Sequence, residues 1–468
     1  MLKSCSDEAE MEEQEGAVPA LVDPSGDQDS ITVADGEEGD HDVLFVTENA
    51  GTPWTVSSLI VVNAALGAGL LNFPKAFDDA GGILSATLVH VVLVVFAFGS
   101  LLLLGWCSDV RGSASYQDTL GVLCGVHARR FCSLLIAVYC YGTCITFLVI
   151  VGDTSDRLFC DALGPAEFVL RWYADRRFVI PMSSLLFVLP LCFSRRIDFL
   201  KYASGVATLG VFYLIAVTVY IFCISDKSGV VVKTKPSNWT DIFLVIPAIC
   251  FGYQCHVSAI PVYSCLRPRS LSAFTKTVGT AMLVCFISYT LVGVVGYLTY
   301  GSAIKEDLLS SYSTRDPVVF IAYLIFAVKT FLTYPILLFC GRIALESLWD
   351  AWRPNDVLAG EALRRWTLVL LWFITSLVVA LYVPNIADVI DFLGSLAAAF
   401  IFVLPGLCLM HALLHFEGSL SRAQWRLGLC LSSFYMAFGA FLLGLSFTQG
   451  VIGDTKHSKT RAKTPCSS

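Results

Sequence analysis

Charged side chains are scarce in this chain of 468 residues, since Asp, Glu, Lys and Arg together make up only 15% of it. Apolar residues make up 56%, and the mean hydropathy is +0.70. A soluble protein of this composition would expose large apolar patches and aggregate. The shortage of charge therefore excludes a soluble globular protein and predicts an integral membrane protein.

Motifs of enzyme and metal chemistry are also missing. The sequence has no HExxH zinc pattern, no GxSxG elbow on a suitable turn and no CxxC pair. It shows no repeated pore loop of the kind that builds a channel filter. Most of the 17 cysteines lie in apolar runs, where free thiols behave as small hydrophobic groups. We expect no enzyme, no dense disulfide scaffold, no cofactor, no nucleic-acid partner and no metal beyond a transported sodium ion.

The first fifty residues carry charge of almost one sign. They hold 15 Asp or Glu and a single basic residue, Lys3, whereas the whole chain has a net charge of −7. They have neither helical apolar periodicity nor the basic and apolar regions of a signal peptide. Residues 1–50 are therefore predicted to be a disordered, acidic, cytosolic tail. Its composition fits a solvated tail or an arm that binds a cytosolic partner.

Eleven apolar stretches are long enough to cross a bilayer as helices, which takes about 20 residues each. They form a predicted eleven-helix domain over 51–448, followed by a short C-terminal tail, 449–468. The predicted spans are 54–77, 82–106, 131–152, 178–194, 199–225, 241–264, 275–300, 317–341, 366–383, 386–411 and 425–448.

The distribution of basic residues predicts the orientation of the chain. With the N-terminus in the cytosol, the inner loops hold 15 Lys or Arg and the outer loops nine, although the C-terminal tail adds four outside. The sequon Asn238-Trp239-Thr240 then lies in an outer loop, which predicts glycosylation at Asn238.

Two predicted spans carry helix-breaking residues near their middle. Span 1 has Gly67 and Gly69 followed by Pro74, and span 6 has Gly252 between two prolines. Small residues in a single span also serve helix packing. Breaks at corresponding positions of two five-helix halves favour a 5+5 inverted-repeat transporter.

A helix that unwinds at the membrane midplane offers backbone groups to a ligand. Free amides suit a carboxylate, and free carbonyls suit an ammonium group or a sodium ion, so the site fits an α-amino acid. Gln254 and His256 follow the second break. Their side chains would form hydrogen bonds either with a substrate amide or with other helices of the bundle. The candidate substrate-binding residues are Leu66, Gly67, Ala68, Gly69, Cys250, Gly252, Gln254 and His256.

Four segments, in this order, resemble the sodium-coupled neutral amino acid transporter family of the amino acid/auxin permease group, closest to its seventh and eighth members. The segments are Val62–Pro74, Ile249–Ser258, Tyr334-Pro335 with Phe339–Arg342, and Phe400–Cys408. The resemblance covers about residues 50–448. It implies an all-α membrane fold like the bacterial leucine transporter, with eleven spans, broken helices 1 and 6, and alternating access.

The resemblance also implies site residues and a substrate class. Asn63 and Thr333 occupy the positions that help to hold sodium in the family, and the substrates are of the glutamine or asparagine type. Lys329 departs from this picture, because an intramembrane ammonium group is costly unless it is paired or hydrated. It lies four residues before Thr333 on the same helix face. Lys329 either provides the positive charge that sodium usually provides, so that transport is proton-coupled or depends weakly on sodium, or it has a structural role.

The resemblance to the family is compatible with two membrane locations and with two activities. The seventh member suggests the lysosomal membrane, and the eighth suggests the plasma membrane. A membrane sensor that binds an amino acid with little transport would use the same fold. We expect a symporter of small neutral amino acids, with the sensor as the alternative.

Overall fold

The structure is a computed structural model, and it describes residues 51–193, 198–350, 361–383, 386–415 and 421–457. The predicted acidic tail and residues 458–468 of the predicted C-terminal tail lie outside the described residues. Nearly all of the described chain is helical. The β pairing among these residues is one isolated bridge, between Thr52 and Leu266.

Seventeen α-helices are distinguished within the described residues. They are α1 (Trp54–Ala65), α2 (Gly69–Asp79), α3 (Ile83–Arg111), α4 (Tyr116–Cys124), α5 (Val126–Leu163), α6 (Pro165–Leu170), α7 (Arg176–Ser183), α8 (Leu189–Cys192), α9 (Asp198–Ile224), α10 (Ile246–Gly252), α11 (His256–Ser264), α12 (Leu271–Tyr300), α13 (Pro317–Asp350), α14 (Glu361–Tyr382), α15 (Ile386–Ala398), α16 (Leu404–His415) and α17 (Arg422–His457). Shorter 3₁₀ or π turns occur at Trp172–Ala174, Ser184–Val188, Trp239–Val245, Gly301–Ala303, Leu309–Ser311 and Ala399–Val403.

Ten segments of the described chain are long and apolar enough to cross a bilayer. Nine are continuous candidate segments, one of which, Trp239–Ser264, contains both α10 and α11. The tenth is α1 with α2, which are bent by 60° at their junction. The predicted fourth span corresponds to α7, a π turn and α8, and it is not among the ten. The last helix continues to His457, beyond the predicted end of the membrane domain. The chain is therefore an all-helical, multi-pass membrane protein.

The spans divide into a buried centre and a lipid-facing periphery. The most apolar stretches of Val126–Leu163, Trp239–Ser264 and Val389–His415 are 78%, 72% and 78% buried. The corresponding stretch of Arg422–Gln449 is only 22% buried. Exposed apolar side chains suit lipid, because hydrocarbon does not penalise them as water does. The central helices can therefore surround a site that is shielded from the lipid.

The two broken spans touch each other at their breaks. The first helix stops at Ala65 and resumes at Gly69, and the second stops at Gly252 and resumes at His256. A Cβ atom on Gly69 would lie 3.1 Å from the ring of Phe251 and 3.3 Å from the Cα atom of Gly252. Glycine at these positions therefore allows the two interrupted backbones to approach closely.

Candidate functional site

A cavity of about 280 Å³ opens beside the break of the first span. It is bounded by α1, the break itself, α5, α11 and α13. Its volume is close to the lower end of the range for small-molecule sites, roughly 300–1,000 Å³. The cavity extends along α1 as far as Ser57 and Thr52, and along α11 as far as Cys265.

Eight of the predicted site residues line this cavity. They are Asn63, Leu66, Gly67, Ala68, Gly69, Gln254, Lys329 and Thr333. The structure thus brings the break of the first span together with the predicted ion-coupling residues of α13. The roles assigned to them remain predictions.

Three predicted substrate-binding residues do not line the cavity. The imidazole of His256 is fully buried, and its Nε2 atom lies 2.7 Å from the Ser100 hydroxyl on α3. Gly252 contacts the first break, and its carbonyl accepts a hydrogen bond from the Tyr289 hydroxyl at 3.2 Å. Cys250 is buried at 1% exposure. The side chains of Cys250 on α10 and His256 on α11 therefore lie away from the cavity, which the spacing of residues alone did not reveal.

Two backbone amides at the break of the first span donate to no backbone carbonyl in the described part of the chain, namely the N–H groups of Ala68 and Gly69. The N–H group of Gly67, which precedes them, interacts with the Tyr289 hydroxyl. They precede and open α2, an eleven-residue helix, so they lie at the positive end of its dipole. The arrangement suits an anionic group such as a carboxylate.

A buried ammonium group contacts the same break from the opposite wall. Lys329 is 2% exposed, and its Nζ atom donates to the carbonyl oxygen of Leu66 at 3.1 Å. The ring of Phe326 lies 5.0 Å from Nζ and adds a cation–π contact. Lys329 is the one charged side chain among the lining residues of this cavity. The ammonium group therefore occupies one of the carbonyl oxygens at the break of the first span.

The two predicted sodium ligands flank Lys329 and already have partners. The Oδ1 atom of Asn63 accepts a hydrogen bond from Thr208 on α9 at 2.9 Å. The hydroxyl of Thr333 donates to the Lys329 carbonyl one turn earlier at 2.8 Å. Both residues are partly buried, and their side-chain oxygens retain lone pairs.

Gln254 places an unsatisfied amide at the cavity wall. The side chain is 7% exposed, and its buried Nε2 group has no hydrogen-bond partner among the residues that the structure describes. A buried donor without an acceptor costs about 1–3 kcal/mol. A ligand with a carbonyl oxygen would relieve this cost.

Residues 50–452 match the model of a protein family described as transmembrane amino acid transporter protein. The chain belongs to this family. The resemblance inferred from the four sequence segments is thereby confirmed, and the protein is a transporter rather than an enzyme.

Curated relatives of this transporter cover most of its length. Sodium-coupled neutral amino acid transporter 7 of Danio rerio is 39% identical over 411 residues, covering 86% of this chain and 88% of the relative. The Homo sapiens protein of the same name is 37% identical, covering 86% and 89%. Solute carrier family 38 member 8 of Homo sapiens is 38% identical over 378 residues, covering 77% and 86%.

A solved structure supports the leucine-transporter-like fold of the chain. The crystal structure of MhsT in complex with L-phenylalanine aligns with a TM-score of 0.53 at 14% identity. The alignment covers 86% of this chain and 100% of that one. At this identity the likeness concerns the fold alone.

Sequence reasoning missed the wall of the transporter's cavity that α5 supplies. Tyr139, Cys140 and Thr143 line it, and the Thr143 hydroxyl donates to the Tyr139 carbonyl at 2.8 Å. The signal was present in the sequence, because Tyr139 and Thr143 are polar residues one turn apart on one face of an apolar span. Ser57 and Ser258 add further hydroxyl groups toward the mouth.

The side of the break opposite the cavity is closed by α2 and a loop that we name the lid, residues 301–312. Leu308 donates its N–H to the Leu71 carbonyl at 3.0 Å, and Asn72 donates to the Glu306 carbonyl at 3.2 Å. The Ser302 hydroxyl adds a third bond, to the Asp78 carboxylate, at 2.8 Å. Three hydrogen bonds thus hold the lid along the length of α2.

Asp78 also anchors α2 through charge. Its side chain is 3% exposed and lies 3.0 Å from Lys75 and 3.0 Å from Lys233, which comes from the loop after α9. A buried carboxylate needs this compensation. The same loop carries the predicted glycosylation site, Asn238, which is exposed.

Proposed function

We propose that this chain is a secondary active transporter of small neutral amino acids of the glutamine or asparagine type. It would work by alternating access in an eleven-span, 5+5 inverted repeat with broken helices 1 and 6. The observation that carries the proposal is the cavity at the first break. Among the described residues there, the Ala68 and Gly69 amides donate to no backbone carbonyl and no carboxylate lines the wall.

The cavity wall explains the preference for a neutral amino acid. A substrate carboxylate would accept from the N–H groups of Ala68 and Gly69 at the start of α2. Its ammonium group would bind carbonyl oxygens freed at the breaks. A cationic side chain would find no acidic partner among the lining residues and would meet Lys329.

Gln254 supports substrates with a side-chain amide. Its unpartnered Nε2 group would donate to the amide oxygen of glutamine or asparagine, and its own carbonyl could accept from the substrate's NH₂. A site built to hydrogen-bond a polar substrate rejects analogues that leave its buried groups unpaired.

Sodium and a proton are the two candidate coupling ions. Asn63 and Thr333 flank the cavity and suit sodium, and the names of the curated relatives describe them as sodium-coupled. Lys329 Nζ, however, already contacts the Leu66 carbonyl at 3.1 Å. We propose that the ammonium group of Lys329 stands where sodium would bind, so that transport depends on pH and only weakly on sodium.

We further propose a cytosolic N-terminus and a location in the lysosomal or the plasma membrane. The cavity then opens to the cytosol, and the lid and Asn238 lie outside or in the lumen. A glycosidase-sensitive mass shift that Asn238→Gln abolishes would establish this side, and its absence would count against it. Cell fractionation separates the two membranes. Pull-down with residues 1–50 tests for a cytosolic partner of the acidic tail.

Labelled glutamine flux in proteoliposomes tests the proposed activity and its coupling. Sodium is replaced by choline, and the pH on each side is varied from acidic to neutral. We expect flux that survives choline and follows pH. Flux that collapses without sodium would assign coupling to Asn63 and Thr333 and overturn the role proposed for Lys329.

The amino acid sensor is the second candidate, because the same cavity would serve binding without turnover. Glutamine binding with no flux under any ionic condition would favour the sensor. Absence of both binding and flux for glutamine and asparagine would contradict the proposed substrate class.

A further inference from the structure

A carboxylate lies at the centre of the lid. Asp307 stands between Glu306 and Leu308, the two residues whose backbone groups bond to α2. It is only 3% exposed. Its oxygens accept hydrogen bonds from the Leu309 amide at 3.0 Å and from the Ser310 hydroxyl at 3.1 Å. Any change in its charge therefore acts on the segment that closes this side of the break.

Asp307 has no cationic partner in the described part of the chain. The lid turn Leu309–Ser311 packs against α5, where Asp153 lies close enough to repel Asp307 electrostatically. The lid also carries Lys305 and Glu306, just before Asp307 in the chain. Tyr312 in the lid and Tyr323 on α13 lie close enough to interact with it electrostatically.

The two nearby arginines are used elsewhere. Arg176 pairs with Asp153 at 3.3 Å, and Arg157 pairs with Asp161 at 3.4 Å and donates to the Tyr312 carbonyl. Asp307 is thus a buried acid that neutral donors and other acids surround. Burial disfavours the charged form of Asp307, and the donors from Leu309 and Ser310 offset this effect only in part.

We propose that Asp307 binds a proton when the lid is closed, so that acid on the lid side closes this pathway and proton release opens it. The inference rests on the proposed alternating access for its functional meaning. The link between protonation of Asp307 and closure of the lid depends only on the geometry of the lid.

The expected direction follows from linkage. Burial raises the pKa of Asp307 from its ordinary value near 4 to about 6 in the closed lid. Because the closed state holds the proton more tightly, closure is favoured as the pH falls through about 6, and this gain is lost as the pH rises above it. If the open lid exposes Asp307 to water, closure should gain about tenfold between pH 7.5 and pH 5.

Hydrogen exchange of the full-length protein in lipid nanodiscs measures this gain without any transport assay. Exchange times are scaled for the intrinsic pH dependence of amide exchange, and peptides that contain Leu308 report the bond to Leu71. We expect about tenfold more protection at pH 5 than at pH 7.5 in the wild type. Asp307→Asn, which mimics the neutral acid, should be protected at both pH values.

Asp316 supplies the matched control, because it caps α13 just after the lid by accepting the Val318 amide. Asp316→Asn should keep the wild-type pH response. Ser310→Ala, which removes one donor to the carboxylate, should move the midpoint to higher pH and covers the case in which Asp307→Asn fails to fold. Equal wild-type protection at both pH values, or an unchanged response in Asp307→Asn, would overturn the proposal. Loss of glutamine flux would not overturn it, because hydrogen exchange measures the protection of the lid independently of transport.

Discussion

The two ends of the first broken span are held by different neighbours. At the cavity end, Thr52 just before α1 exchanges backbone hydrogen bonds with Cys265 and Arg267 at the end of the sixth span, at 3.0 and 3.2 Å. At the other end, α2 is held by the lid and by Lys233. The break lies between these two half-helices, which are thus held by different parts of the protein.

This difference indicates how the halves can move. Neutral backbone bonds tie α1 to the second broken span, so those two half-helices can move together. Ion pairs and a buried acid hold α2, so opening on the lid side must rehydrate charge or move a proton. The closed end is therefore the one whose stability should respond to charge changes.

Asp78→Asn should cause the largest change on the closed side. It removes the buried charge that lies 3.0 Å from both Lys75 and Lys233. Removal of one partner from a buried ion pair costs on the order of 3 kcal/mol. We expect a lower melting temperature and faster hydrogen exchange in α2, while the exchange of α1 stays near the wild-type rate.

Asp79→Asn is the matched control for this experiment. Asp79 is 39% exposed, and the one ion pair that it makes within the described ranges is with Lys75, at 2.8 Å. An exposed pair contributes roughly 0–1 kcal/mol, so its loss should be small. Equal effects of the two variants, or equal loosening of α1 and α2, would contradict the separate attachment of the half-helices.

Lys329→Met should have a smaller effect, confined to the break. It leaves the Leu66 carbonyl without its donor, at a cost of about 1–3 kcal/mol, and removes the charged group from the cavity wall. We expect glutamine flux to lose its pH dependence and to fall about tenfold. Proteoliposome flux across a pH series, with sodium or choline, measures both changes.

Lys276→Met applies the same substitution at an exposed position near the start of α12 and should leave flux and its pH dependence unchanged. If Lys329→Met also leaves the ion dependence untouched, Lys329 has a structural role, and the coupling proposal fails.

The sequence predicted the parts of this site that depend on backbone chemistry. Gly67 and Gly69 identified the break because glycine weakens a helix locally, and Lys329 stood out because charge inside a membrane is rare. These signals are local, so a single sequence carries them.

Side-chain direction could not be predicted in the same way. Gln254 and His256 are two residues apart, yet one lines the cavity and the other contacts Ser100 on α3. The connector that separates α10 from α11 decides these directions, and its geometry depends on packing against other helices. The lid was missed because its role rests on contacts between segments over two hundred residues apart, such as Asn72 with Glu306.

Gln254→Leu should have the smallest effect, limited to substrates that carry an amide. Loss of one neutral hydrogen bond is worth about 1 kcal/mol, so the KM for glutamine should rise about fivefold. The apolar replacement also removes a buried donor that has no partner in the described part of the chain, so protein stability should hold or rise slightly. Initial rates of uptake over a range of glutamine concentrations measure the change.

Alanine uptake by the same variant separates substrate recognition from general damage to the cavity. Alanine shares the α-amino and carboxylate groups that the break would bind but has no side-chain acceptor for Nε2. Its KM should therefore stay within experimental error of the wild type. A parallel rise for both substrates would mean that Gln254 supports the common amino acid site, and it would withdraw the structural reason for a glutamine-type preference.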